Sequence, residues 1–261
     1  MAKSMAAGGN VTRLRNAVSD AEWETRVDLA AAFRVAHHLG WNNTINNHIA
    51  ARVPGEPDHF LMNPVGLGWH EIKASDLIKS DWSGNYLSET TMTLAPAGFN
   101  FHSAILREKR NLNCTFHIHP LAAVLVSAME DGLMFYDQSS CSLYGQVSYH
   151  DFEGLAQEKD EAPRIIADLG DNFAMIMRNH GALTVGRTIG EAFSYMRRLV
   201  GACEVQSRLL ACGVKLRKVP QDVLEFTKSQ MDARHPGKPY GELDWKMYRR
   251  LAEQLDPAHA S

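Results

Sequence analysis

Between Asp20 and Leu39 the apolar residues recur at helical intervals, so that Leu29, Phe33 and Ala36 share one face. Ser19 with Glu22 three residues on has the pattern of a capping box, and Gly40 supplies the stop. After Gly40 the period shortens. His48 to Val53 and Phe60 to Met62 predict strands with Pro54-Gly55 as the turn between them, and Asn63-Pro64-Val65-Gly66 predicts a loop. A helix is expected from just after Pro96 to about Leu106. Cys114 to His119 predicts a strand, ended by Pro120, which opens a helix to about Met129. Gly154 to Leu169 predicts helix, and Phe173 to Arg178 an apolar strand closed by Asn179-His180-Gly181. A long helix follows from Ile189 to Cys212, stopping at Gly213. Two more helices are expected around Gln221–Arg234 and Trp245–Leu255. Strands alternating with helices predict an α/β domain, its strands in a mixed sheet with helices on both faces. No linker interrupts it. The expected organisation is a mobile N-terminal tail over 1–18, one domain over 19–216 and a helical C-terminal extension over 217–261.

Composition narrows the picture. Of 261 residues, 45% are hydrophobic and 22% charged, the balance of a globular chain able to bury a core. A formal net charge of -3 with no Lys/Arg block excludes a nucleic-acid partner. No apolar run approaches the ~20 residues of a membrane span, and Met1 to Asn10 lacks the apolar segment of a secretory signal. The 4 cysteines (Cys114, Cys141, Cys203, Cys212) form no CxxC pair and are expected as reduced thiols in a cytoplasmic protein. The histidine count is what changes the picture: 12, several of them clustered.

Phe116-His117-Ile118-His119-Pro120 is the sharpest cluster. Alternate residues of a strand share a face, so His117 and His119 project together while Phe116 and Ile118 turn into the core. Two imidazoles so placed can ligate one ion; an isolated HxH is equally a pair of unrelated hydrogen-bonded histidines. His180, in a polar loop at the end of another strand, could supply a third nitrogen, and three histidines with an open position form a catalytic metal site. Taken alone, His180 is a turn residue beside Gly181. His102, on the helix before the HxH strand, is a structural histidine or a further group of the site. Tyr149-His150-Asp151 is expected in a loop, where phenol and imidazole could move protons. His37-His38 fits the negative end of its helix.

Taken in order, these motifs resemble the class II aldolase/adducin family. The resemblance runs from about Trp23 to Gly213. It rests on Asn47-His48-Ile49-Ala50-Ala51-Arg52, Asn63-Pro64-Val65-Gly66, Ala97-Gly98-Phe99-Asn100-Phe101-His102, His117-Ile118-His119, Tyr149-His150-Asp151, Arg178-Asn179-His180-Gly181 and Ala202-Cys203-Glu204-Val205-Gln206. It implies a single three-layer α/β/α domain with a central mixed, mainly antiparallel sheet, commonly assembled as a tetramer. It also implies His117, His119 and His180 as metal ligands, with Asn63, Gly66, Gly98 and His102 around the substrate. The family's phosphosugar aldolases carry an acid/base carboxylate four residues before the position of His102. Here that position is Gly98. Their phosphate-binding positions are His48, Val65, Pro96 and Ala97, and Val, Pro and Ala remove the hydrogen-bond donors a dianionic phosphate needs. The nearest branch carries Ala-Gly-Phe instead of the carboxylate motif and includes the adducin head.

The resulting expectation is a divalent-metal-dependent lyase, a decarboxylase or an aldolase, acting on a small non-phosphorylated oxo- or hydroxy-carboxylate. It takes one ion per chain, zinc first, with iron, manganese and cobalt as alternatives. Tyr149 is the expected proton donor with His150 next, and Arg52 pairs with a substrate carboxylate or serves as a structural ion-pair partner. Two alternatives stay open: a non-haem Fe(II) oxygenase, and a non-catalytic binding module like the adducin head. A homo-oligomer, a tetramer by resemblance, is expected, with neither nucleic acid nor membrane as partner.

Overall fold

A computed structural model describes residues 11–42, 44–155, 160–234 and 237–261. Seven strands form one sheet: β1 (His48–Val53), β2 (Glu56–Met62), β3 (Ile78–Asp81), β4 (Cys114–Ile118), β5 (Val147–His150), β6 (Ala174–Met177) and β7 (Gly181–Gly186), in the order β3-β2-β1-β4-β7-β6-β5. Only β5 and β6 run parallel; every other neighbouring pair is antiparallel. The sheet is mixed and mainly antiparallel, as expected.

The helices that follow residue 18 are α1 (Asp20–His38), α2 (Pro96–Glu108), α3 (Leu121–Ser127), α4 (Gln138–Cys141), α5 (Glu161–Leu169), α6 (Ile189–Ala211), α7 (Gln221–Arg234) and α8 (Glu242–Leu255). Strand alternation divides the sheet into two faces. Phe116, Ile118, Ile176 and Ala182 point one way and pack with Phe33 of α1, Phe193 of α6 and Trp245 of α8 in one buried cluster. Met175, Met177, Leu183 and Val185 point the other way, against Phe101 of α2 and Ile165 of α5. Three layers result: helices, sheet, helices. The C-terminal helices are present, and α8 shares the first core. Trp245 lies 5.2 Å from Phe193 and Tyr248 4.9 Å from the same ring, centroid to centroid.

Several local expectations change. Ser19 caps α1 by accepting from the Glu22 N–H at 3.1 Å. The return half of the capping box is absent: the Glu22 carboxylate is buried and pairs with Arg26 at 2.8 Å and Lys79 at 2.8 Å. A buried carboxylate recruits two cations before a backbone amide. Strand β3 was not expected, and β7 fills what the sequence left as a loop and helix approach. Of the segment expected as a tail, residues 11–17 are helical; residues 1–10 lie outside the described residues. The helix expected from Gly154 begins at Glu161, and 156–159 lie outside the described residues.

Candidate metal centre

Strand β4 delivers His117 to the sheet face covered by α2, and the strand's exit carries His119 beside it. The turn between β6 and β7 carries His180 to the same place. That turn is tight: Asn179 takes φ 55°, a left-handed conformation that Asn tolerates better than most residues. Two residues on, position 181 must be glycine for a different reason. A Cβ on Gly181 would stand 2.6 Å from the Ile118 carbonyl oxygen and 2.8 Å from His119 Cδ2. The close passage of β7 past the end of β4 is what brings the two histidine-bearing segments together.

The rings of His117, His119 and His180 stand 4.5, 4.8 and 4.8 Å apart, centroid to centroid. One nitrogen from each lies within 4.8 Å of the others. Among the described residues, no other set of three metal-ligating side chains gathers so closely. His117 Nδ1 lies 3.0 Å from the Ala182 carbonyl, which fixes that nitrogen as the donor and leaves Nε2 with its lone pair free. Burial pushes the pKa of all three rings down: His117 well below its usual value, His119 to about 4, and His180 also downward. Mutual repulsion among the histidines adds to the effect at His117 and His119. Neutral imidazoles with free lone pairs are the form that binds a cation. His119 Nε2 is buried with no hydrogen-bond partner, a costly state that ligation would relieve. The donor set fits a divalent ion.

Around this triad the expected residues separate. His102 is wholly buried on α2, its Nδ1 2.5 Å from the Thr115 hydroxyl and its Nε2 without a partner. Gly98 lies one turn earlier, where a Cβ would meet the His48 ring at 2.9 Å. Asn63 is structural. Its amide donates to the Asn47 carbonyl and its oxygen accepts from Ile49 N–H, tying the end of β2 to the start of β1. Gly66 turns at φ 97° beside exposed Val65. Arg52 corrects the carboxylate-binding expectation. Its guanidinium donates to the carbonyls of Pro57, Leu106 and Leu112 and to Asn113 Oδ1, and it lies over the Trp82 ring at 5.5 Å. Four of its five N–H groups are thus taken within the fold.

Tyr149 and His150 also need correcting, since both lie on β5 and not in a loop. Tyr149 packs on the face opposite His117. Its hydroxyl accepts from Leu133 N–H at 3.0 Å and Arg178 covers its ring at 4.4 Å. His150 shares the triad's face but is held by α5: Nδ1 is 2.7 Å from Asp168 and Nε2 3.5 Å from Glu161. Sequence reasoning gave no role to His48 and Asn47. His48 sits directly opposite His117 across β1–β4, with the two rings stacked at 6.0 Å. Asn47 Oδ1 accepts the His119 N–H at 3.0 Å and so holds the exit of β4. The available signal was a polar His48 at the head of a strand whose remaining residues are otherwise mostly apolar.

The comparisons agree with this architecture. The model for the class II aldolase and adducin N-terminal domain matches residues 27–207. Alpha-adducin of Rattus norvegicus is 39% identical over 83% of this chain, which spans 30% of that protein. An aldolase II superfamily protein from Pseudomonas syringae, solved by crystallography, superposes with a TM-score of 0.91 at 37% identity, covering 95% of this chain and 100% of that one. L-fuculose 1-phosphate aldolase from Glaciozyma antarctica PI12 superposes with a TM-score of 0.79 at 27% identity, covering 92% of each chain. No helix of the described residues is long and apolar enough to cross a membrane. The chain belongs to the class II aldolase/adducin family.

Proposed function

We propose that the chain is a divalent-metal-dependent carbon–carbon lyase acting on a small, non-phosphorylated oxo- or hydroxy-carboxylate, with His117, His119 and His180 holding the ion. The observation that carries this reading is the triad itself: one buried and two half-buried imidazoles, held neutral, with converging nitrogens. A divalent cation held there supplies Lewis-acid stabilisation of charge developing on a substrate carbonyl oxygen. The protein's own residues keep the triad in order. Ala182 sets the tautomer of His117, Asn47 anchors His119, and the left-handed Asn179 aims His180.

Two features favour decarboxylation over aldol cleavage. The stretch between Met92 and Arg107 contains no carboxylate, and the volume next to Gly98 belongs to His48. Loss of CO₂ needs an electron sink but no base to remove a hydroxyl proton. A homo-oligomer, tetrameric by family resemblance, and a cytoplasmic setting for the unpaired cysteines belong to the same proposal. The match to alpha-adducin supports a second reading, a non-catalytic module; the intact triad weighs against it.

Elemental analysis of protein purified without added metal, then reloaded with zinc, manganese, cobalt or iron, tests the site. One ion per chain is expected, and none in the His117→Ala/His119→Ala variant. Stoichiometric metal in that variant would refute the ligand assignment. Screening oxo-acids for depletion by the loaded protein tests the reaction, and iron-dependent oxygen uptake would replace the lyase by an oxygenase.

A further inference from the structure

The end of α1 carries imidazoles that the triad does not use. His37 and His38 occupy its last turn, and the His37 ring lies 4.7 Å from the His70 ring, centroid to centroid, with the planes 36° apart. Both residues are exposed. The two segments are held together by the residues beneath them. Trp69 meets Phe33 of α1 edge-on at 4.9 Å, and Arg34 donates to the Ile72 carbonyl at 3.3 Å. The fold therefore sets the two histidines side by side before any ligand arrives.

The nitrogens suit a cation. Asn42 Oδ1 accepts from His37 Nδ1 at 3.0 Å, which fixes that nitrogen as the donor and leaves Nε2 with its lone pair. Among the described residues, no hydrogen bond or ion pair engages His37 Nε2 or either nitrogen of His70. The His70 ring lies over Gly68, where a Cβ would stand 2.7 Å from its Cε1 and 2.9 Å from its Nδ1. The Glu71 carboxylate occupies the same corner, accepting the Gly68 N–H at 2.6 Å. Charge agrees. His37 stands at the C-terminal end of a 19-residue helix, where the aligned peptide dipoles favour a positive ion. Arg34, one turn earlier, is buried and answered by Asp256 at 3.2 Å.

We propose that His37 and His70 form a second metal site, for a zinc ion that takes one nitrogen from each ring and completes its shell with water. Imidazole donors select zinc over magnesium or calcium, and two of them hold it more weakly than three. The site joins two elements at the surface, so its role is a brace. Trp69, next to His70, donates from Nε1 to the Asn47 carbonyl at 3.3 Å, and Asn47 in turn holds the His119 N–H. An ion that clamps His70 to α1 steadies the segment from which that bond is made. The site stands independently of the lyase reading.

Metal-free protein is titrated with zinc at neutral pH, and bound metal is read by equilibrium dialysis with elemental analysis. Wild type should take up a tight ion and then a second one at least tenfold more weakly. His37→Ala and His70→Ala should each lose the second ion and keep the first. The double variant should lose no more than either single one, because the two rings hold one ion. His70→Gln, which keeps a polar side chain, should lose it as well, and His38→Ala should bind as wild type does. Hydrogen exchange of residues 66–73, followed by mass spectrometry, should slow as the second ion binds to wild type and stay unchanged in His70→Ala. Zinc content equal to wild type in either single variant, or an equal loss in His38→Ala, would overturn the site. A second ion bound with no change in exchange would overturn its role as a brace.

Discussion

Gly181→Ala puts the geometry of the centre to its most direct test, since one added methyl meets both the sheet and a candidate ligand. The new Cβ would stand 2.6 Å from the Ile118 carbonyl oxygen and 2.8 Å from His119 Cδ2. The first contact is with backbone that pairs Ile118 with Ala182 across β4–β7, so relief requires the strands to part. Overpacking of this kind costs about 1–3 kcal/mol. For a domain of this size about 2 kcal/mol corresponds to a fall of about 4–8 °C in Tm. The metal adds a second signal. Ligand at one hundred times its Kd stabilises the folded state by about 2.7 kcal/mol, and a tenfold weaker site forfeits about 1.4 kcal/mol of that. Thermal melts of chelated and zinc-saturated protein, run side by side for both sequences, read the two effects separately. The variant should melt lower without metal and gain less from zinc. Equal melting temperatures in both states would refute the claim that the passage of β7 past β4 sets the ligand geometry.

Three further outcomes follow from other parts of the molecule. The pKa values of His48 and His119 are depressed by burial to about 4, against about 6.5 unfolded. The unfolded chain therefore takes up these protons first, so their contribution is fully present above pH 6.5 and lost as pH falls toward 4; urea midpoints of metal-free protein should fall across that window, and a flat profile would contradict the burial argument. Fuculose- and ribulose-phosphate should not turn over, and a kcat near or above ~1 s⁻¹ would overturn the reading of Gly98, Val65, Pro96 and Ala97. Trp245→Ala should cost about 3–5 kcal/mol by opening the cluster with Phe193, measured by urea unfolding; a loss under ~1 kcal/mol would mean that α8 does not share the core.

The parts of the fold legible in the sequence were those whose pattern is set within one element. The face of α1, the extent of α6 and the HxH alternation at the end of β4 belong here, because local pattern alone carries them. The misreadings have a common physical origin in contacts between distant segments. Strand β7 is bounded by Gly181 and Gly186, which look like turn residues. They are glycines because Ile118, His119 and Ala192 approach them too closely for a Cβ. Tyr149 and His150 read as loop because polar residues crowd them. His150 is polar on a buried face because Asp168 of α5 answers its Nδ1. For Arg52 the sequence left a substrate carboxylate and a structural partner open, because the carbonyls it binds lie at Pro57, Leu106 and Leu112, mostly far along the chain.

The same distinction explains why the triad was legible and its surroundings were not. A ligand must carry a particular nitrogen, so His117 and His119 announce themselves by residue type and spacing, and the family resemblance adds His180. A supporting residue need only place a bond where the first group requires it, and many residue types can do that. Asn47 holds His119 through a side-chain oxygen, while Ala182 holds His117 through a backbone carbonyl that leaves no trace in the sequence. Gly98 acts by having no side chain at all. Its effect appears only when β1 brings His48 under α2, and there the absence of one carboxylate and the presence of one imidazole become a single structural choice. Within a family that shares one fold, chemistry can therefore diverge by exchanging such pairs while the three ligating histidines stay in place.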